Sequence, residues 1–343
     1  DGGETFNVPA RQLTGDLGND IEPGKNKTIE WNAGLDWDGE FSEKMRIRIT
    51  ASDRKGLPGL EWSKEIPPGG FLMGQDGGPE GSGPSAHINI DYSYWISKYK
   101  ITNQQFCDFL NLAKAAGFIT SDGKLLNNQF WVSRKRTCNI SAWNYYVNRP
   151  LVNLGDSQPI RWNVNRFEVN NKANHAVLTN IGGAAAFASW YNFFLPTEVL
   201  WEKAARGEYD DAGEHRKYAW GNEAPSNGYA SPEKPVGWYN GINTNIKVEN
   251  YFGLYDLTGN REWVNTIWGK QYNTYPSKIG LAEFFDLDAD GTPYRSPDGS
   301  LRFNQNIQSS TYKLVGEAMI YGRAAFNGNE VRGTFRVLRV KMP

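Results

Sequence analysis

The chain has 343 residues, with 37 Lys and Arg against 38 Asp and Glu and a formal net charge of −1. That balance leaves no field of one sign to steer it to nucleic acid or to an anionic membrane surface. Hydrophobic residues make up 39%, and no run approaches the ~20 apolar residues that cross a bilayer, so neither a nucleic-acid partner nor a membrane span is expected.

Length predicts two or at most three domains with a full core. An aromatic content of 14% beside 37 glycines predicts a loop-rich protein whose irregular backbone is pinned by large rings. Only Cys107 and Cys138 are present, which fits the single disulfide of a secreted protein and equally fits two buried thiols.

The chain opens without Met at "DGGETFNV", in what reads as the middle of a β unit, so an upstream segment is expected to have been removed or left out. Residues 1–53 carry β-type runs, "TFNV", "KTIEW" and "MRIRITA", separated by turn clusters. Three or four strands fall short of the about seven of a complete sandwich, so this reads as a partial immunoglobulin-like or fibronectin-like β module. Residues 54–69 are rich in Gly and Pro and read as a linker, and 70–343 as one large domain.

Within that domain "ITNQQFCDFLNLAKAAG" predicts a helix: Thr102 and Gln105 make a capping box, Phe106, Phe109 and Leu110 an apolar stripe, and Gly117 the stop. A second helix is predicted over 182–194. A third follows Thr197 in "LPTEVLWEKAARG", with Glu198 at the positive end of the dipole and Gly207 as terminator. Two long stretches, 118–174 and 271–312, read as weakly structured insertions or interaction surfaces.

The ordered segments "GGFLMG", "YWISKYKITNQQFCDFLN", "LPTEVLWEKAARG", "YAWGN", "PVGWYNG", "NYFGLYDLTGNREWV" and "GTFRVLR" together resemble the formylglycine-generating-enzyme, or sulfatase-modifying-factor, domain over residues 68–343. The resemblance implies an α+β fold, a loop-rich variant of the C-type-lectin fold with a few helices around small twisted antiparallel sheets. The N-terminal runs resemble, more weakly, β-sandwich modules placed ahead of such domains in secreted bacterial proteins, which implies a secreted or cell-surface location.

Family members that oxidise a sulfatase cysteine use a pair of cysteines near the C-terminus, which bind copper as thiolates and activate oxygen. The corresponding stretch here, "KLVGEAMIYGRAAFNGNEVRGTFRVLR", contains no cysteine, so neither copper nor formylglycine formation is expected. Sulfoxide-forming iron members need a three-His site supplied largely by a helical domain, whereas His87, His175 and His215 stand apart without HxxxH spacing. The usual "RGGSW" is replaced by "KLVGE" and the closing motif survives as "GTFR", so the substrate groove is expected to have diverged.

Calcium is the cofactor to consider. In the family the turn equivalent to "GNREWV" runs one residue longer, and its Asn and Glu help bind a structural calcium. Here Asn260 and Glu262 remain, and the open readings are a calcium site or a scaffold in which Gly253 and Gly259 turn the chain while Leu254, Trp263 and Val264 pack inside. In "DLDADG", Asp286, Asp288 and Asp290 sit at alternate positions before a Gly, like the opening of an EF-hand loop, although the twelfth position is Pro297 rather than Glu.

"AWNYYVNRP", with Trp131 and Trp162, reads either as a sugar-stacking surface or as core filling. The residues taken for a ligand surface are Glu317, Tyr321 and Arg323, where a flat or closed surface would mean binding and a deep polar pocket an enzyme. The leading expectation is a secreted non-catalytic protein that binds an extracellular protein or glycan, or assembles with itself into oligomers or filaments. The alternative is an enzyme with a remodelled pocket.

Overall fold

Thr102 sets the first long helix. Its hydroxyl accepts from the Gln105 amide at 3.2 Å, and the Gln105 side chain accepts in return from the Thr102 amide at 3.0 Å, which completes the predicted capping box. The next amides, of Asn103 and Gln104, donate to the carbonyls of His175 and Ala173, so the orphan donors of this helix end are met by a loop from far along the chain.

The structure is a computed structural model that describes residues 13–15, 28–36, 57, 59–77, 84–134, 146–207, 216, 218–222, 233–258, 261–265, 277–290, 292–293, 312–315, 323–325 and 332–342. In chain order the described elements begin with β1 (Leu13–Gly15), β2 (Ile29–Trp31), α1 (Ala33–Asp36), β3 (Gly69–Met73), β4 (Ala86–Ile90) and β5 (Tyr94–Ile96). They continue with α2 (Asn103–Ala115), α3 (Gln129–Arg134), β6 (Ile160–Asn163), β7 (Arg166–Val169), α4 (Ile181–Trp190) and α5 (Glu198–Arg206). The last are β8 (Glu262–Asn265), β9 (Lys278–Ile279), a 3-10 turn (Leu281–Glu283), β10 (Tyr312–Val315), β11 (Arg323–Ala325) and β12 (Leu338–Val340).

The fold is α+β as expected, with a few helices and several small sheets. β3 pairs antiparallel with β4, which takes β9 in parallel on its other side; β5 pairs with β12, β6 with β7, and β10 lies between β11 and β8. In the N-terminal segment the "KTIEW" run supplies β2, which pairs with β1. The "TFNV" and "MRIRITA" runs lie outside the described residues.

One core gathers around α2 and α4. The α4 helix is buried on all sides, so it runs through the core rather than over it. Its Phe187 stacks on Phe106 at 5.9 Å and meets Phe109, Tyr191 and Phe335 at 5.6, 4.9 and 5.4 Å. Gly183 is required where α4 crosses the preceding chain, because a Cβ there would lie 2.5 Å from the Leu151 carbonyl oxygen. A second core packs β3, β4 and β5 against α5 and against Phe252, Leu257 and β8, with Trp201, Leu254 and Val264 inside.

The stretch expected to be weakly structured, 118–174, carries α3 and the β6–β7 hairpin. The reason is a distant side chain: the Asn111 amide on α2 donates to the Phe167 carbonyl at 2.9 Å and accepts from its amide at 2.8 Å, finishing the edge of β7. The last part of the predicted linker also has a fixed place. Ser63 donates its amide to Ile96, Ile66 and Tyr94 exchange backbone bonds across β5, and Trp62 and Trp95 flank the Arg339 guanidinium at 4.7 and 4.6 Å.

Candidate functional site

The "NYFGLYD" segment is built around one side chain. Asn250 is buried; its amide donates to the carbonyls of Ala204 and Ala205 at the end of α5, and its oxygen accepts from the amides of Phe252 and Leu254. It therefore closes the loop and caps the helix together. Gly253, at φ +82°, makes the turn between them. The chain then passes through buried Leu254, Tyr255 and Leu257 to β8, where Glu262 is fully buried.

A buried ion needs a partner, and Glu262 has several. The Arg336 Nε donates to its two oxygens at 3.1 and 3.0 Å, the Trp201 indole donates at 3.2 Å, and the Lys100 ammonium lies at 3.7 Å. Arg336 is itself well anchored, with one terminal nitrogen donating to the carbonyls of Ser97 and Lys98 and the other to that of Tyr255. Its chain neighbours Phe335 and Val337 are fully buried, so "GTFR" delivers the guanidinium into the centre of the domain.

Burial brings the Lys100 ammonium down to about 8, against the pull of Glu262 and with the push of Arg336. The Asp256 carboxyl nearby is raised by burial, although the Gly237 amide donates to it at 2.6 Å and Lys100 and Arg336 favour its charge. The centre therefore sets Lys100 and Arg336 against Glu262 and Asp256, deep in the protein rather than at its surface. It can hold three chain segments in register.

The other residues singled out in the sequence are dispersed. Asn260, Glu317 and Tyr321 lie outside the described residues. Arg323 opens β11 opposite Val315 of β10, which in turn lies opposite Glu262 of β8, so these positions share one row of a sheet. In "DLDADG", Asp288 and Asp290 are exposed and Asp286 half-buried; Asp290 accepts from the Thr292 amide and hydroxyl at 3.0 and 2.7 Å, as a turn-forming side chain does. Among the described residues no group of three or more His, Cys, Asp or Glu converges on one point.

Trp131 is core, edge-on to Phe130 at 4.9 Å, while Trp162 is half-buried against Phe167 with the Lys114 ammonium over its ring. His87 is exposed on β4, His175 bonds the Glu233 carbonyl, and His215 lies outside the described residues. Sequence reasoning missed Lys100 and Arg336 as members of the buried centre. The signal available was a lone Lys and a lone Arg inside otherwise apolar strand-like runs, "YKIT" and "GTFRV".

Cys107 is a buried free thiol on α2, and Cys138 lies outside the described residues. Burial, with Asp108 close by, pushes the Cys107 thiol up to about 12 from its ordinary 9.0. Between about pH 9 and 12 the unfolded chain loses this proton while the folded chain keeps it. Stability should therefore fall with rising pH across that window, by at most about 1.4 kcal/mol per pH unit from this group. Denaturant midpoints measured from pH 8 to 11 should fall less steeply for Cys107→Ala than for the parent; equal slopes would contradict the assignment.

A match to the Sulfatase-modifying factor enzyme 1-like domain covers residues 61–331. The chain belongs to this family. It is 29% identical over 233 residues to a formylglycine-generating enzyme of Thermomonospora curvata, covering 62% of this chain and 73% of that one. It is 26% identical over 228 residues to the mouse protein named inactive C-alpha-formylglycine-generating enzyme 2, covering 61% of this chain and 68% of that one. Among solved structures it is similar to PvdO from Pseudomonas aeruginosa, at 18% identity and a TM-score of 0.42, covering 81% of this chain and 93% of that one. In this sulfatase-modifying-factor domain the closing "GTFR" thus supplies the buried Arg336, and "GNREWV" its partner Glu262.

Proposed function

We propose that this sulfatase-modifying-factor domain is a non-catalytic binding or self-assembling protein, secreted or held at the cell surface, in which the copper chemistry of the oxidising relatives has been lost. The observation that carries the reading is the absence of cysteine from residues 313–339, where those relatives place their thiolate pair. Neither remaining cysteine lies in that stretch, and Cys107 is committed to the core. A relative whose printed name calls it inactive is consistent with the scaffold outliving the reaction.

What remains for function is loops on a fixed frame, and the partner is an extracellular protein, a glycan or a second copy of the chain. A structural calcium in the Asp286, Asp288 and Asp290 loop belongs to the same proposal, since three carboxylates at alternate positions gain from a shared cation. Assembly is the testable part. Light scattering at micromolar concentration should give a mass above that of one 38.6 kDa chain, rising with concentration. A compact monomer at every concentration would sink self-assembly and leave an external ligand as the role.

A further inference from the structure

The family resemblance places oxygen ligands for calcium on the turn that ends in Glu262, so the donors present here have to be weighed against that ion. Calcium takes six to eight oxygens at about 2.3–2.6 Å. Glu262 has both oxygens within reach of positively charged or N–H groups: Arg336 Nε at 3.1 and 3.0 Å, Trp201 Nε1 at 3.2 Å and Lys100 Nζ at 3.7 Å. A divalent ion bound to either oxygen would sit within a few ångströms of an ammonium and a guanidinium, in an interior that screens repulsion poorly.

Neither cation can step aside. The Lys100 side chain is 2% exposed and that of Arg336 is 0% exposed, so there is no solvent into which they can turn. Arg336 also donates to the carbonyls of Ser97, Lys98 and Tyr255, and swinging it away would leave two buried acceptors and one part-buried acceptor without that donor.

We infer that Glu262 is not a calcium ligand in this chain: Lys100 and Arg336 supply from within the polypeptide the positive charge that the ion supplies in the family, and Glu262 needs no metal. The inference rests on family membership and on the geometry around Glu262, not on the assembly reading.

The experiment uses the full chain with Asp286, Asp288 and Asp290 all changed to Asn, which removes the exposed acidic loop as a competing site. Calcium calorimetry and thermal melting in calcium and in chelator are then compared. The expected result is no heat of binding and the same melting temperature in both. One calcium bound per chain, or a calcium-dependent rise in melting temperature that disappears with Glu262→Gln, would overturn the inference. Lys100→Met should lower the melting temperature in either medium, and adding Glu262→Gln should recover part of the loss, because the unpaired carboxylate is then gone. A Lys100→Met chain that melts like its parent would show that the ammonium does not balance Glu262, and would equally overturn it.

Discussion

Replacing Arg336 by Met is expected to cost about 3–5 kcal/mol of folding stability, the range for breaking a buried ion pair from one side. The substitution keeps the volume apolar, so the loss measures the guanidinium rather than a cavity. Glu262 would be left fully buried with the Trp201 indole and a Lys100 ammonium 3.7 Å away, and the carbonyls of Ser97, Lys98 and Tyr255 would lose a shared donor. A denaturant titration reads the effect as a lowered midpoint at unchanged slope. Arg336→Met combined with Glu262→Gln should cost less than the two singles added, with a coupling of about 1–3 kcal/mol. Strict additivity would show that the two side chains do not act as a pair.

Phe187→Ala is expected to cost a similar amount, about 3–5 kcal/mol, for a different reason. Phe187 is fully buried on α4 and joins Phe106 and Phe109 of α2 to Phe335, the residue before Arg336. Its removal opens a cavity lined by rings that cannot readily collapse together, because α4 is pinned at Gly183 against the Leu151 backbone. Phe187→Leu should recover much of the loss, since it refills most of the volume. Equal losses for Ala and Leu would point instead to the ring contacts themselves.

The sequence was most legible where the determinants are local. Thr102 with Gln105, and Thr197 with the Leu200 amide at 3.4 Å, start their helices at the predicted places, because a cap needs only a side chain and amides three residues ahead. The middle helix was placed but mis-bounded. It runs Ile181–Trp190, capped by Asn180, and stops before Asn192 at φ +61°, whereas the predicted span is 182–194.

What could not be read depends on partners far along the chain. The hairpin at 160–169 exists because Asn111, 56 residues before Phe167, completes its edge. The role of Glu262 depends on Arg336, 74 residues later, and on Lys100 in another segment. From the motif alone Glu262 is an acidic residue on a glycine-rich turn, which suits a cation equally well. Only the fold shows which cations stand beside it.

The most direct test of the central claim is a reaction the domain should not perform. The chain, incubated with copper(I), oxygen and a peptide carrying a sulfatase-type cysteine, should leave the peptide mass unchanged, and no copper should remain after desalting. A formylglycine product, or one copper retained per chain and lost with Cys107→Ser, would contradict the account.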